Sequence, residues 1–547
     1  MKKIALYTLA LSGLLCSGCS DWLDINYTPN NVSQEAVSMD QLLTYVENDI
    51  NNDRVRYLGL NQVCGQITKS GSFSGNYIFL LGTLNPKDVN NYWIYRYARS
   101  ENLLVIKNKA IEDKNPAYIG IAETLTIIEF RELVDLFGNV PYTEALLGAE
   151  NTTPKYDKAE DIYADLLKRI DYAIQQFDEA ISDPLLDLGS LKKSDINCRG
   201  DLQLWRRYAY TIKLSLLMRI SNVQDVSEQV NAIKDKCLAA SEIITANPGF
   251  YKASGKMNLL YEYWARNYLD NELSRHREYM PSSQLVDFLR DNEDPRLRVY
   301  AEPRKNLGDD NTNHTMYSKF GLENEYYIGT PFGQSQPARA EYASKIGYGV
   351  LGHSSSLIDA PSSDLYVISG SLPEFLLAEA ALRGMIPGGD AQAKKYYESG
   401  VAGAMQMYEK AMQDEGFKEP GTKPAITTSA AEAAAIYLAQ NKKTVNWDLM
   451  ATTEEKMCAI QTQKWLSLYM IDPQEAWSEQ RRTDYPVLHA SHSLVKGSKL
   501  IARFPYPSNE QNINPNNFDA QGEIDIFNSL IFWDKKNDDV EKAPIYL

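Results

Sequence analysis

Four aromatic residues fall within eight positions, Tyr261, Tyr263, Trp264 and Tyr268, with Arg266 and Asn267 among them. Those residue types suit sugar binding. The faces of a pyranose ring carry C–H groups that stack on aromatic rings, while guanidinium and amide groups bond the hydroxyls. A ligand-stacking platform is therefore expected at Tyr261, Tyr263, Trp264 and Tyr268. The competing reading is an amphipathic helix with the same rings packed inward. Tyr77, in the loop Ser70-Gly-Ser-Phe-Ser-Gly-Asn-Tyr77, is a further ligand-binding candidate, and Tyr326 with Tyr327 another. Trp93 and Tyr97 are four apart on one helix face and read as core.

No catalytic residue emerges. With 72 acids in the chain, neighbouring carboxylates such as Asp309-Asp310 and Glu454-Glu455 carry no information about glycosidase chemistry. GxSxG, HExxH and P-loop strings are all missing from the sequence. His489 and His492 lack an accompanying acidic pattern, and Asp309-Asp310-Asn311-Thr312-Asn313 lacks the Gly and distant Glu of an EF-hand. No metal and no cofactor are assigned, and the chain reads as a binding protein, not an enzyme. A net charge of −16 argues against nucleic acid as a partner, since phosphate binding needs a clustered cationic face.

The first residues set the compartment. Lys2 and Lys3 precede a twelve-residue apolar stretch, Ile4 to Leu15, too short to span a bilayer. Cys16-Ser17-Gly18-Cys19 follows and resembles a bacterial lipobox, with Cys16 where an aliphatic residue is usual. Residues 1–18 are expected to be a lipoprotein signal peptide, Cys19 the lipidated mature N-terminus, and 19–33 a polar tether. The protein is expected to be anchored to a membrane without crossing it. Cys64, Cys198, Cys237 and Cys458 contain no CxxC and are expected to be free and buried.

What must position the aromatic residues is helical. Periodicity predicts helices over 91–113, 158–181, 201–221, 226–246, 372–384, 391–413, 429–440 and 453–469, and one containing Phe130, Leu133, Val134 and Phe137 that ends at Gly138. Leu372 to Gly384 and the following helix, joined by a Gly-rich turn and lined by Ala and large residues, have the style of a tetratricopeptide repeat, without its strict consensus. From about 249 to 370 the pattern breaks into Gly, Pro, Asn, Ser and many Tyr, with one helix near 282–290. A stretch that long is expected to carry function. The expected architecture is mostly α, a single domain over 34–547 on a tetratricopeptide-like helical scaffold, with a loop-rich insertion at about 249–370.

In order, the strings resemble the SusD/RagB family of outer-membrane nutrient-binding lipoproteins, in its SusD-like subgroup. They are Cys19-Ser-Asp-Trp-Leu-Asp24, Asp135-Leu-Phe-Gly-Asn-Val-Pro-Tyr-Thr-Glu-Ala-Leu146, Asn292-Glu-Asp-Pro-Arg296, Pro373 to Gly384, Glu475 to Pro486, and Arg503-Phe-Pro-Tyr-Pro-Ser-Asn-Glu510. Asn139 stands where the family usually has Asp. The resemblance implies a lipid-anchored protein of the outer membrane, facing the exterior, that captures oligosaccharides or peptides. It also implies a SusC-like TonB-dependent transporter as partner, over which this protein sits as a lid. Arg481 and Arg482 in the family string read as structural. The alternative function is an envelope-anchored interaction scaffold of tetratricopeptide type with no part in transport.

Overall fold

Paired antiparallel helices build the frame. The computed structural model describes residues 37–56, 59–70, 82–303, 327–331, 343–352, 359–413, 428–488 and 500–535. The residues before 37, with Cys19 and the expected tether, lie outside the described residues, as do Tyr77, Tyr326, Asp309 to Asn313, His489 and His492.

α1 (Met39–Arg56) packs on α2 (Asn90–Glu112), which packs in turn on α3 (Pro116–Phe137). α4 (Ala159–Ser182) and α5 (Leu202–Ile220) continue the array. Asn115 caps α3 through its side chain, Pro116 opens it, and Gly138, at φ 78°, closes it. In α4, Ile162, Tyr163, Leu166, Ile170, Ala173, Ile174 and Phe177 form the buried stripe. The second half repeats the plan with α9 (Ser371–Leu382), α10 (Gly389–Gln406), α11 (Ala430–Leu438), α12 (Thr453–Ser467) and α13 (Pro473–Thr483).

The two halves share a packing device. A Cβ on Gly120 of α3 would lie 2.8 Å from the Phe177 ring of α4, and one on Gly400 of α10 would lie 2.7 Å from the Phe375 ring of α9. In each pair one glycine lets a phenylalanine of the partner helix seat against the backbone, as in small-against-large repeat packing. The fold is thus mostly helical and tetratricopeptide-like. Among the described residues no helix is long and apolar enough to cross a membrane.

Two helix expectations need correction. The segment 226–246 is helical only over Ser227–Ile233; Ile243–Ala246 is instead strand β4, paired antiparallel with β6 (Leu365–Ser369). The β-branched run Ile243-Ile244-Thr245 alternates between half-buried and buried faces, a strand period that tertiary pairing selected over the local helical reading. The helix expected over 391–413 breaks at Met407-Tyr408 and resumes at Glu409–Gln413.

Residues from the described family strings meet in the core, several of them in a buried ionic lattice. Arg482 donates to both oxygens of Glu379 at 2.7 and 2.6 Å, and Glu479 also binds Arg482, Lys464 and Arg219. Burial would raise the Glu379 carboxyl, but Arg482 and Lys464 outweigh it and hold it down at about 2. Arg296 makes a bidentate pair with Asp294 and reaches Gln463 at 2.6 Å. Arg481 lies 3.7 Å over the Trp477 ring and donates to the carbonyls of Asp135 and Ala502, and Arg503 donates to the Phe137 carbonyl. Arg481 and Arg482 therefore bridge structure, as expected. All four described cysteines are free and buried; burial pushes the Cys237 and Cys458 thiols up to about 12.

Candidate functional site

The aromatic segment sits on three short elements. α6 (Leu259–Trp264) is capped by Asn258, whose side chain accepts from the Leu260 and Tyr261 N–H groups. α7 (Ser274–Glu278) leads into strand β5 (Tyr279–Pro281), which pairs antiparallel with β1 (Ile67–Lys69), Lys69 opposite Tyr279. Between α6 and α7 the chain makes a hairpin closed by an Arg266–Glu272 bridge. Asn267 accepts from the N–H groups of Leu269 and Asn271, and Asp270 sits at φ 62°.

The structure corrects half of the expected platform. Tyr261 is fully buried and Trp264 is 3% exposed. Trp264 Nε1 donates to the Val55 carbonyl of α1 at 2.9 Å, so the indole is anchored inward. Both rings belong to the core in this conformation, because a six-residue helix lying on α1 must bury one face. Tyr327 is also fully buried. Tyr263 is half-buried, and Tyr268, at the hairpin tip, is 43% exposed beside the exposed Leu269. Trp93 is buried and Tyr97 donates to the Pro141 carbonyl, so those two are structural as expected.

Trp264 nevertheless organises what surrounds it. Its ring meets Tyr263 edge-on at 5.6 Å and Tyr279 at 5.2 Å, so the buried indole forms a floor under two half-buried tyrosines. The Arg275 guanidinium lies 3.8 Å from the Tyr263 ring centroid and donates to the Tyr263 carbonyl at 3.3 Å. Burial, reinforced by Glu278, pushes the Tyr279 phenol up to about 12, which keeps it a neutral donor and acceptor. Tyr279 and Arg275 were missed from sequence; the available signal was the basic run at 275–277 directly after the aromatic cluster.

The hairpin is held from behind. His276 is buried, one ring nitrogen on Glu272 and the other on the Ile346 carbonyl, each at 2.8 Å. Lys345 also binds Glu272, at 2.6 Å. Against the effect of burial, these two partners hold the Glu272 carboxyl down at about 2. Arg266 donates to the Tyr348 hydroxyl and the Asp270 carbonyl, and Lys252 pairs with Asp270, tying the loop that carries the exposed Tyr251 to the tip. The chain that leads to Tyr77 leaves β1 at Ser70, which donates to the carbonyls of Arg277 and Glu278.

A separate cavity of about 190 Å³ is lined by Phe288, Lys443, Thr444, Glu455, Cys458, Ala459 and Thr462. It falls below the roughly 300 Å³ of small-molecule pockets and cannot take an oligosaccharide. Among the described residues no group of three or more His, Cys, Asp or Glu side chains could hold a metal ion.

A helical repeat frame displaying an aromatic and guanidinium surface on short loops defines a class of binding protein. Residues 29–507 match the family described as SusD-like, starch-binding and associating with the outer membrane, and the chain belongs to that family, one of binding proteins and not of enzymes. Solved structures agree on the fold. A SusD homologue from Bacteroides fragilis is 20% identical, with a TM-score of 0.69 over 91% of this chain and 100% of that one. A chitin-binding SusD homologue from Flavobacterium johnsoniae is 20% identical, with a TM-score of 0.67 over 91% of this chain and 97% of that one. A chitin-binding protein is 23% identical, with a TM-score of 0.67 over 91% and 100%. No curated protein matches the sequence.

Proposed function

We propose that this protein is a cell-surface receptor for oligosaccharides, lipid-anchored through Cys19, that hands its ligand to a SusC-like TonB-dependent transporter beneath it. The observation that carries the reading is the surface formed by Tyr263, Tyr279 and Arg275 over the Trp264 floor, with Tyr268 exposed on the adjoining hairpin. Rings of this kind stack on sugar C–H faces, and the guanidinium and phenols bond hydroxyls. Tyr77 belongs to the same proposal, because its loop departs beside Tyr279. Sugars are favoured over peptides by the flat, half-exposed rings and by the family description.

Binding alone does not import a ligand. A lipid-anchored receptor needs a pore, and a lid on a barrel would trap ligand between two surfaces. The residues following Cys19 would serve as the tether while the lid swings. A stable cap would bury well over about 1,000 Å².

Three measurements test the reading. A glycan and peptide array probed with the full chain in mild detergent should give oligosaccharide binding that Tyr263→Ala and Tyr268→Ala weaken. Pull-down from cells should recover a TonB-dependent barrel in stoichiometric amount, and Cys19→Ala should abolish palmitate labelling. Recovery of the protein alone, with the barrel expressed, would favour the scaffold reading.

A further inference from the structure

Arg275 differs from the charged residues around it because nothing in the described chain neutralises it. Its guanidinium makes one hydrogen bond, to the Tyr263 carbonyl, and rests on the Tyr263 ring. The neighbouring carboxylates are all engaged elsewhere. Glu262 accepts from the Gly255 and Met257 N–H groups, and Asp270 holds Lys252. Glu272 binds His276 and Lys345, and Glu278 binds Lys69. Arg481 and Arg503 also lack a carboxylate, but they are buried and spend their N–H groups on backbone carbonyls, whereas Arg275 is half-buried at the surface. Its remaining N–H groups are available to a group from outside. The Tyr263 and Tyr279 hydroxyls also have no partner among the described residues, and they flank the same indole.

We infer that this surface recognises an oxyanion carried on a sugar ring, a uronate carboxylate or a sulfate ester. Arg275 binds the anion while Tyr263 and Tyr279 take the sugar's apolar face and hydroxyls. A guanidinium presents donors in a planar fork that matches two oxygens of such a group, and stacking on Tyr263 holds that fork in place before ligand arrives. The inference rests on the oligosaccharide-binding reading above and narrows it, since starch and chitin, named for the family and for two structural neighbours, are not anionic.

Calorimetric titration of the full chain in mild detergent decides it. The probes are uronic-acid oligosaccharides with their carboxyl-reduced counterparts, and sulfated oligosaccharides with their desulfated counterparts. One acidic series should bind about tenfold or more tighter than its neutral counterpart, and which series does so identifies the oxyanion. The preference should shrink with added salt. Arg275→Met should remove the preference by weakening the acidic member far more than its neutral counterpart, and Arg275→Lys should restore part of it. Equal affinity for acidic and neutral members, or a preference that survives Arg275→Met, overturns the oxyanion inference and leaves oligosaccharide binding standing. No binding of any probe overturns both.

Discussion

The ionic lattice and the aromatic surface place charged and aromatic groups together in opposite ways. Around Glu379, Glu479, Arg482 and Arg219, each charge meets several opposite charges at near-contact distance and is cut off from water. Around Arg275, a cation rests on a ring at the solvent boundary and its nearest carboxylates belong to other partners. The difference separates structure from recognition. Burying a charge costs several kcal/mol unless counter-charges or hydrogen bonds offset it, so a paired interior is specified internally. A group with unused hydrogen-bonding capacity at the surface costs little and stays available to a ligand. The described strings that carry the family resemblance contribute residues to the first region, and the proposed ligand surface lies in the second.

The largest expected effect comes from breaking the lattice. Glu379→Ala leaves Arg482 and Lys464 short of a buried counter-charge and should cost about 3–5 kcal/mol, measured by denaturant unfolding. A loss under about 1 kcal/mol would mean that water reaches the pair.

Trp264→Ala tests the boundary between the regions. It removes the floor and the bond to Val55, and should also cost about 3–5 kcal/mol in the same assay. Unchanged stability with lost affinity would place the indole at the surface and blur the contrast.

Acid should separate the regions next. The fold holds the Glu379 carboxyl down at about 2, against about 4.3 in an unfolded chain, so its contribution is present above the unfolded value and disappears as pH falls toward 2. Stability measured from pH 6 to 2 should fall in that window, and Glu379→Gln should flatten the slope.

The smallest stability effect belongs to Tyr268→Ala. It should change folding by less than about 0.5 kcal/mol and weaken oligosaccharide affinity by about 1–3 kcal/mol. A large drop in melting temperature would show that the tip packs on something structural.

Much of this protein was legible along the chain. Caps and stops such as Asn115-Pro116 and Gly138, and the stripe of α4, are local signals, because hydrogen bonding within a helix and burial of one face depend on residues three or four apart. They fixed the helical frame, and six ordered strings fixed the family. Tertiary structure decided the rest. Only pairing with a strand more than a hundred residues away made Ile243–Ala246 extended. Only packing against α1 and the segment around Gly352 turned Trp264 and Tyr261 inward while leaving Tyr263 and Tyr268 outward, since four aromatic rings close in sequence look alike until neighbouring elements cover one face. Likewise, whether Arg275 finds a carboxylate depends on partners contributed by β1 and residue 345, which capture Glu278 and Glu272 first. Spacing along the chain determined which groups could form helices, and three-dimensional packing determined which charges and rings were left over to meet a ligand.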